Sequence, residues 1–243
     1  LWIFGDPEWY GDFTEKVVRG RPESRYRCGF LQQRDMWGYF FLPREMEAAG
    51  DEDGEVVADL VDPEQQLRES LAFVAAQQLL RHWGRDPEDR FANRLDRSRA
   101  YWIKEGWPAY LAARRVEKPM VGPALEEGWR FGREPPTLRT IVQQESRLAL
   151  QRFQEAPPEQ VEGAEPVLAL GLRDHFADLS WLLTKQLNEE PKRRRAFEAF
   201  LISQIEATAS GNADGFAKAF ALKDESDWIA LEDVMYRPLD EQR

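Results

Sequence analysis

Residues 67–83 read Leu67-Arg-Glu-Ser-Leu-Ala-Phe-Val-Ala-Ala-Gln-Gln-Leu-Leu-Arg-His-Trp83, and residues 101–112 read Tyr101-Trp-Ile-Lys-Glu-Gly-Trp-Pro-Ala-Tyr-Leu-Ala112. Leu67, Leu71, Val74 and Leu79 recur at helical spacing in the first stretch, which predicts an amphipathic core helix over Glu64 to Trp83. Asp62-Pro63 gives its start signal, an acidic cap followed by proline in the first turn. The second stretch predicts a helix from Arg99 to Arg115, bent or interrupted at Pro108, which lacks an N–H and crowds the preceding turn.

The residues before Asp62 read differently. Leu1-Trp-Ile-Phe4 is a short apolar strand, and Asp6-Pro7 opens a helix to Val18. Arg25 to Gln32 and Met36 to Leu42 are aromatic-rich runs flanking the polar Gln33-Arg34-Asp35, the signature of a hairpin. Glu45 to Glu55 reads as an acidic loop and Val56 to Val61 as a final strand. Beyond Asp62 the signals are helical: Leu138 to Phe153, Leu168 to Asn188, Pro191 to about Ala209, Asp214 to Ala221 and Ser226 to Met235. Met120 to Pro136 and Glu155 to Pro166 are loops rich in glycine, proline or glutamate. The expected fold class is therefore α+β, with a strand-rich N-terminal layer over residues 1–62 and a mainly helical body over 63–243, forming one continuous domain. The layer should hold roughly three to five strands.

Several of these segments carry a recognisable pattern: Trp-x-x-Glu-Gly-x-x-x-Tyr over Trp102 to Tyr110, Phe-x-x-x-Phe at Phe216 to Phe220 and Trp-x-x-Leu-Glu at Trp228 to Glu232. In this order, after a strand-bearing N-terminus, they resemble the gluzincin superfamily of zinc metallopeptidases, in particular its bacterial peptidase-like branch. That resemblance implies a zincin-like fold and makes Glu105 the counterpart of the third zinc ligand, with Gly106 and Tyr110 matching its neighbours. Pro108 stands where the family has alanine. The family's other motif is His-Glu-x-x-His, in which two imidazoles four residues apart share a helix face and hold one ion. Gln78-Leu79-Leu80 matches the family's Gln-Leu-Leu after its second histidine, so the register puts Phe73, Val74 and Gln77 at the histidine, base and histidine positions. None of the three has the required chemistry. The resemblance also implies that Gln77 and Glu105 lie within side-chain reach across adjacent, antiparallel helices.

Two histidines, His82 and His175, and one cysteine, Cys28, leave little else for a metal. A mixed site of His82, Glu105 and His175 satisfies the count of ligands, but no spacing supports it, and His82 beside Trp83 reads as a helix-end residue favoured by the dipole. No cofactor is expected, zinc included. Gly-rich phosphate loops, a Gly-x-Ser-x-Gly elbow and Cys–His pairs do not occur. Lys192-Arg-Arg-Arg195 reads as the exposed first turn of a helix, with docking of an acidic partner as the alternative. Nine tryptophans are scattered along the chain, most of them expected as core or helix-packing anchors, whereas Trp107 and Trp129 would flank the cleft and offer a binding surface.

Composition sets the outer limits. The chain has 243 residues, 42% of them hydrophobic and 12% aromatic, enough to bury a real core. A net charge of -11 argues against nucleic acid as a partner, since phosphate-backbone binders present basic stripes. No apolar run approaches the ~20 residues of a membrane span. A lone Cys28 forms no internal disulfide and is expected in a strand as a small hydrophobe. Because the chain opens on Leu1 rather than methionine, it reads as a trimmed piece, compatible with an extracytoplasmic location. Together these features predict a catalytically inactive, peptidase-like domain acting as a binding or structural module. The alternatives are an active hydrolase with a non-standard residue set and a subunit of a larger assembly. A protein partner is compatible with this reading, and no small-molecule ligand is named by the sequence.

Overall fold

A computed structural model describes residues 2–4, 9, 13, 29–32, 37–41, 63–85, 94–97, 100–116, 137–143, 167–206, 208 and 211–240. Strands β1 (Trp2–Phe4), β2 (Gly29–Gln32) and β3 (Trp37–Phe41) form one sheet in the order β1-β3-β2. Strand β1 runs parallel to β3, while β2 is antiparallel to it with Gly29 opposite Phe40 and Gln32 opposite Trp37. The helices, in chain order, are α1 (Pro63–Trp83), α2 (Arg94–Arg97), α3 (Tyr101–Ala113), α4 (Leu138–Gln143), α5 (Val167–Glu189), α6 (Pro191–Ile205), α7 (Ala213–Phe220) and α8 (Glu225–Asp240).

The architecture is mainly helical, and the α+β expectation is corrected. The aromatic runs that suggested a strand-rich layer yield strands of only three, four and five residues, whereas α1, α5, α6 and α8 each run for fifteen or more. A short strand and a long helix each leave one signal in the sequence, so the number of strand signals overstates the sheet. The expected strand Val56 to Val61, the loops Glu45 to Glu55, Met120 to Pro136 and Glu155 to Pro166, and Cys28 lie outside the described residues, as does most of the helix expected after Asp6-Pro7. Of the helix expected over Leu138 to Phe153, the described part is α4.

The chain divides into two compact units. The first comprises Leu1–Gln78 and Leu111–Met120, the second Leu79–Tyr110 and Val121–Arg243. In the first, α1 buries Glu69, Ser70, Phe73, Val74 and Ala76, a stripe at helical spacing that is offset from the one read off the leucines. Leu67 and Leu71 are only half-buried. The Glu64–Arg68 pair on the opposite face closes at 2.6 Å between exposed side chains and adds little.

In the second unit an apolar cluster joins α3, α4, α5, α6, α7 and α8, with Leu80 of α1 and Leu95 of α2. Its centre is Trp102 of α3, fully buried, with ring centroids of Phe197, Phe200 and Phe216 at 6.0, 6.3 and 5.9 Å. Phe216 in turn meets Phe220 at 4.4 Å and Trp228 at 5.6 Å. Helix α6 reaches this cluster because Phe197, Phe200, Leu201 and Gln204 fall at i, i+3, i+4 and i+7 on one face. Helix α5 is buried on nearly every side from Phe176 to Asn188, and two of its polar side chains bond along their own helix. Thr184 Oγ1 donates to the Ser180 carbonyl at 2.9 Å and Asn188 Nδ2 to the Thr184 carbonyl at 2.7 Å.

The helix ends are closed by specific groups. At the α5–α6 junction, Arg193 Nε donates to the Gln186 carbonyl at 3.2 Å, and Arg194 Nε and Nη2 donate to the Asn188 carbonyl at 2.9 and 2.7 Å. Two members of the basic cluster thus satisfy the negative end of α5, where charge-assisted bonds are strongest. Lys192 and Arg195 remain exposed. Asn212 caps α7, its side chain accepting from Gly215 N at 3.0 Å. Short α4 is held from outside. Glu232 of α8 accepts the Leu138 N–H at 2.5 Å, Arg139 pairs with Glu225 at 2.9 Å, and the Arg139 guanidinium lies 4.9 Å from the Trp228 ring centre. Asp224 caps α8 by accepting from Ser226 Oγ, Ser226 N and Asp227 N, bonds that hold its carboxyl below the usual carboxylate range.

The last two helices generate two tests. Helix α7 closes on Ala221 in the left-handed region, φ 57° and ψ 34°, with Leu222 N bonded to the Ala217 carbonyl at 2.8 Å. A Cβ is unfavourable there, so Ala221→Gly should raise unfolding stability in urea by about 0.5–1 kcal/mol. Loss of stability would mean that this helix end is formed differently. Tyr236 is buried beside Glu232, and both burial and that negative charge push its phenol well above the ordinary value of 10.0. A folded-state pKa above the unfolded one stabilises fully below pH ~10 and less as pH rises beyond it, by up to about 1.4 kcal/mol per pH unit. Urea midpoints measured between pH 9 and 11.5 should therefore fall more steeply for the wild type than for Tyr236→Phe. Equal slopes would show that Tyr236 ionises normally.

Candidate functional site

Phe73 and Val74, assigned to the first histidine and the base, are 5% and 3% exposed and belong to the buried stripe of α1. Gln77, assigned to the second histidine, is half-buried one turn on from Phe73. A phenyl ring and an isopropyl group have no lone pair for a zinc ion, so the residues present do not fit the metal that the family carries. Gln77 belongs to the first unit and Glu105 to the second.

The segment from Trp102 to Tyr110 lies wholly on α3 within the second unit. Pro108 does not interrupt it. The helix runs continuously from Tyr101 to Ala113, with Pro108 itself buried. Trp102, Ile103, Ala109 and Ala112 are buried, so α3 is a core helix with little polar face. Glu105 is half-buried, as are Trp107 and Tyr110.

Gly106 has a clear physical role. A Cβ built there would stand 2.5 Å from Thr184 Oγ1 and 2.6 Å from the Ser180 carbonyl carbon, and would overlap the Ser180 carbonyl oxygen. The backbone of α3 passes against α5 at this point closer than any side chain permits. The glycine of the Glu-Gly pair is therefore a packing glycine in this chain. Its partners Ser180 and Thr184 escaped sequence reading because their polarity suggests a surface, although their spacing of four residues places both on one helix face.

At the C-terminal end of α1 the leucine stripe fails. Leu79 is 46% exposed and Trp83, one turn on, is 49% exposed. The Trp83 ring lies 5.9 Å from that of Trp107, tilted by 59°. Trp9 is 75% exposed, while Trp102 and Trp228 are core residues as expected. Trp181 is half-buried, and Trp129 lies outside the described residues. His82 is exposed at the end of α1. His175 sits on α5 in a part whose side chains lie outside the described residues. Among the described residues no group of three or more His, Cys, Asp or Glu is arranged to hold a metal ion, and no helix is long and apolar enough to cross a membrane.

No protein-family model matches the chain, no curated protein matches it, and no solved structure matches its coordinates.

The tight α3–α5 approach predicts the outcome of one substitution. Gly106→Ala should lower stability by about 1–3 kcal/mol, because the methyl must displace backbone as well as a hydroxyl. Gly106→Ala combined with Thr184→Ala should recover only part of this loss, since the Ser180 carbonyl stays in place. Unfolding curves in urea for both variants measure it. Wild-type stability in Gly106→Ala would refute the close approach.

Proposed function

We propose that this chain is a non-catalytic helical module with a binding or structural role, in which a segment resembling the third-ligand helix of gluzincins has been given over to packing. The observation that carries this reading is the burial of Phe73 and Val74. The positions that the resemblance assigns to a metal-binding imidazole and a general base are filled by core side chains. A charged group at either position would have to give up its water on burial, which costs several kcal/mol for an ion unless it is paired.

Gly106 supports the same reading, because packing against Ser180 and Thr184 accounts for it without reference to a ligand helix. Glu105 alone supplies one carboxylate, whereas a catalytic zinc site draws three protein ligands and leaves a position for water. With no base at Val74, a water at such a site would also lack its proton acceptor. The partner that suits an acidic, aromatic-rich helical module of this kind is another protein.

The test is direct. Protein purified without chelators should carry far less than one equivalent of zinc and cleave no member of a broad peptide library. Zinc near one equivalent, or cleavage lost in Glu105→Gln, would overturn the non-catalytic reading. The inherited register is tested separately by Phe73→His, Val74→Glu and Gln77→His in one variant. If it folds and takes up zinc, the peptidase register of α1 stands. If it folds and takes up none, the resemblance in α1 is fortuitous.

A further inference from the structure

We draw no further inference here: the strongest candidate, the exposed apolar patch of Leu79 and Trp83 at the C-terminal end of α1, beside the half-buried Trp107 of α3, carries nothing because nothing in the structure shows what covers it.

Discussion

The indole of Trp102 is the piece on which the second unit depends. It lies within 6.3 Å of three phenylalanine rings drawn from α6 and α7, and through Phe216 it is linked to Trp228 of α8. An aromatic side chain of this size removes about 150–250 Å² from water, which at ~25 cal/mol/Å² amounts to about 4–6 kcal/mol. Set against this, the indole N–H is buried and has no hydrogen-bond partner among the described residues, a cost of about 1–3 kcal/mol. Burial wins, and the rings around Trp102 meet it in tilted, stacked and edge-on arrangements, at 40° for Phe197, 10° for Phe200 and 79° for Phe216. Once α3 is anchored by Trp102, Gly106 one turn later must lie against α5, and this is where the absence of a side chain becomes a requirement.

This constraint explains why a stretch that resembles part of a peptidase need not act as one. Trp102, Gly106, Phe216, Phe220 and Trp228, the landmarks of the resemblance, are members of the packed cluster or lie against it. A tryptophan and a glycine one turn apart satisfy the demands of a crowded helix–helix contact. The same pair beside a glutamate also satisfies a short motif. With the resemblance reduced to residues that packing explains, Glu105 is the remaining residue whose chemistry points toward a metal, and one carboxylate does not make a site.

Much of the helical body was legible in the sequence. Helix α6 shows its i, i+3, i+4, i+7 face openly, Pro191 marks its first turn, and the edges of α1, α3 and α5 fall within two residues of their signals. The fold class was not legible, because strand propensity in short aromatic runs such as Trp37–Phe41 reports on a few residues and not on the extent of a sheet. Pro108 does not interrupt α3, because a proline removes one hydrogen bond and a helix buried on most sides has packing enough to bridge that gap. Leu79 misleads because four leucine and valine positions fit the helical period, while the buried face is set by Phe73, Val74, Ala76 and Leu80. The candidate site was the least legible part. Phe73, Val74 and Gln77 enter by register alone, and register says nothing of burial.

The central claim, that Trp102 unites separate helices through specific ring contacts, is tested most directly by a double-mutant cycle in urea between Trp102→Leu and Phe216→Leu. The account predicts a coupling of about 0.5–1.5 kcal/mol between the two positions, beyond the sum of the apolar area each variant loses. Strictly additive losses would show that the two rings do not interact, and that α3 is held in the unit by something other than this aromatic cluster.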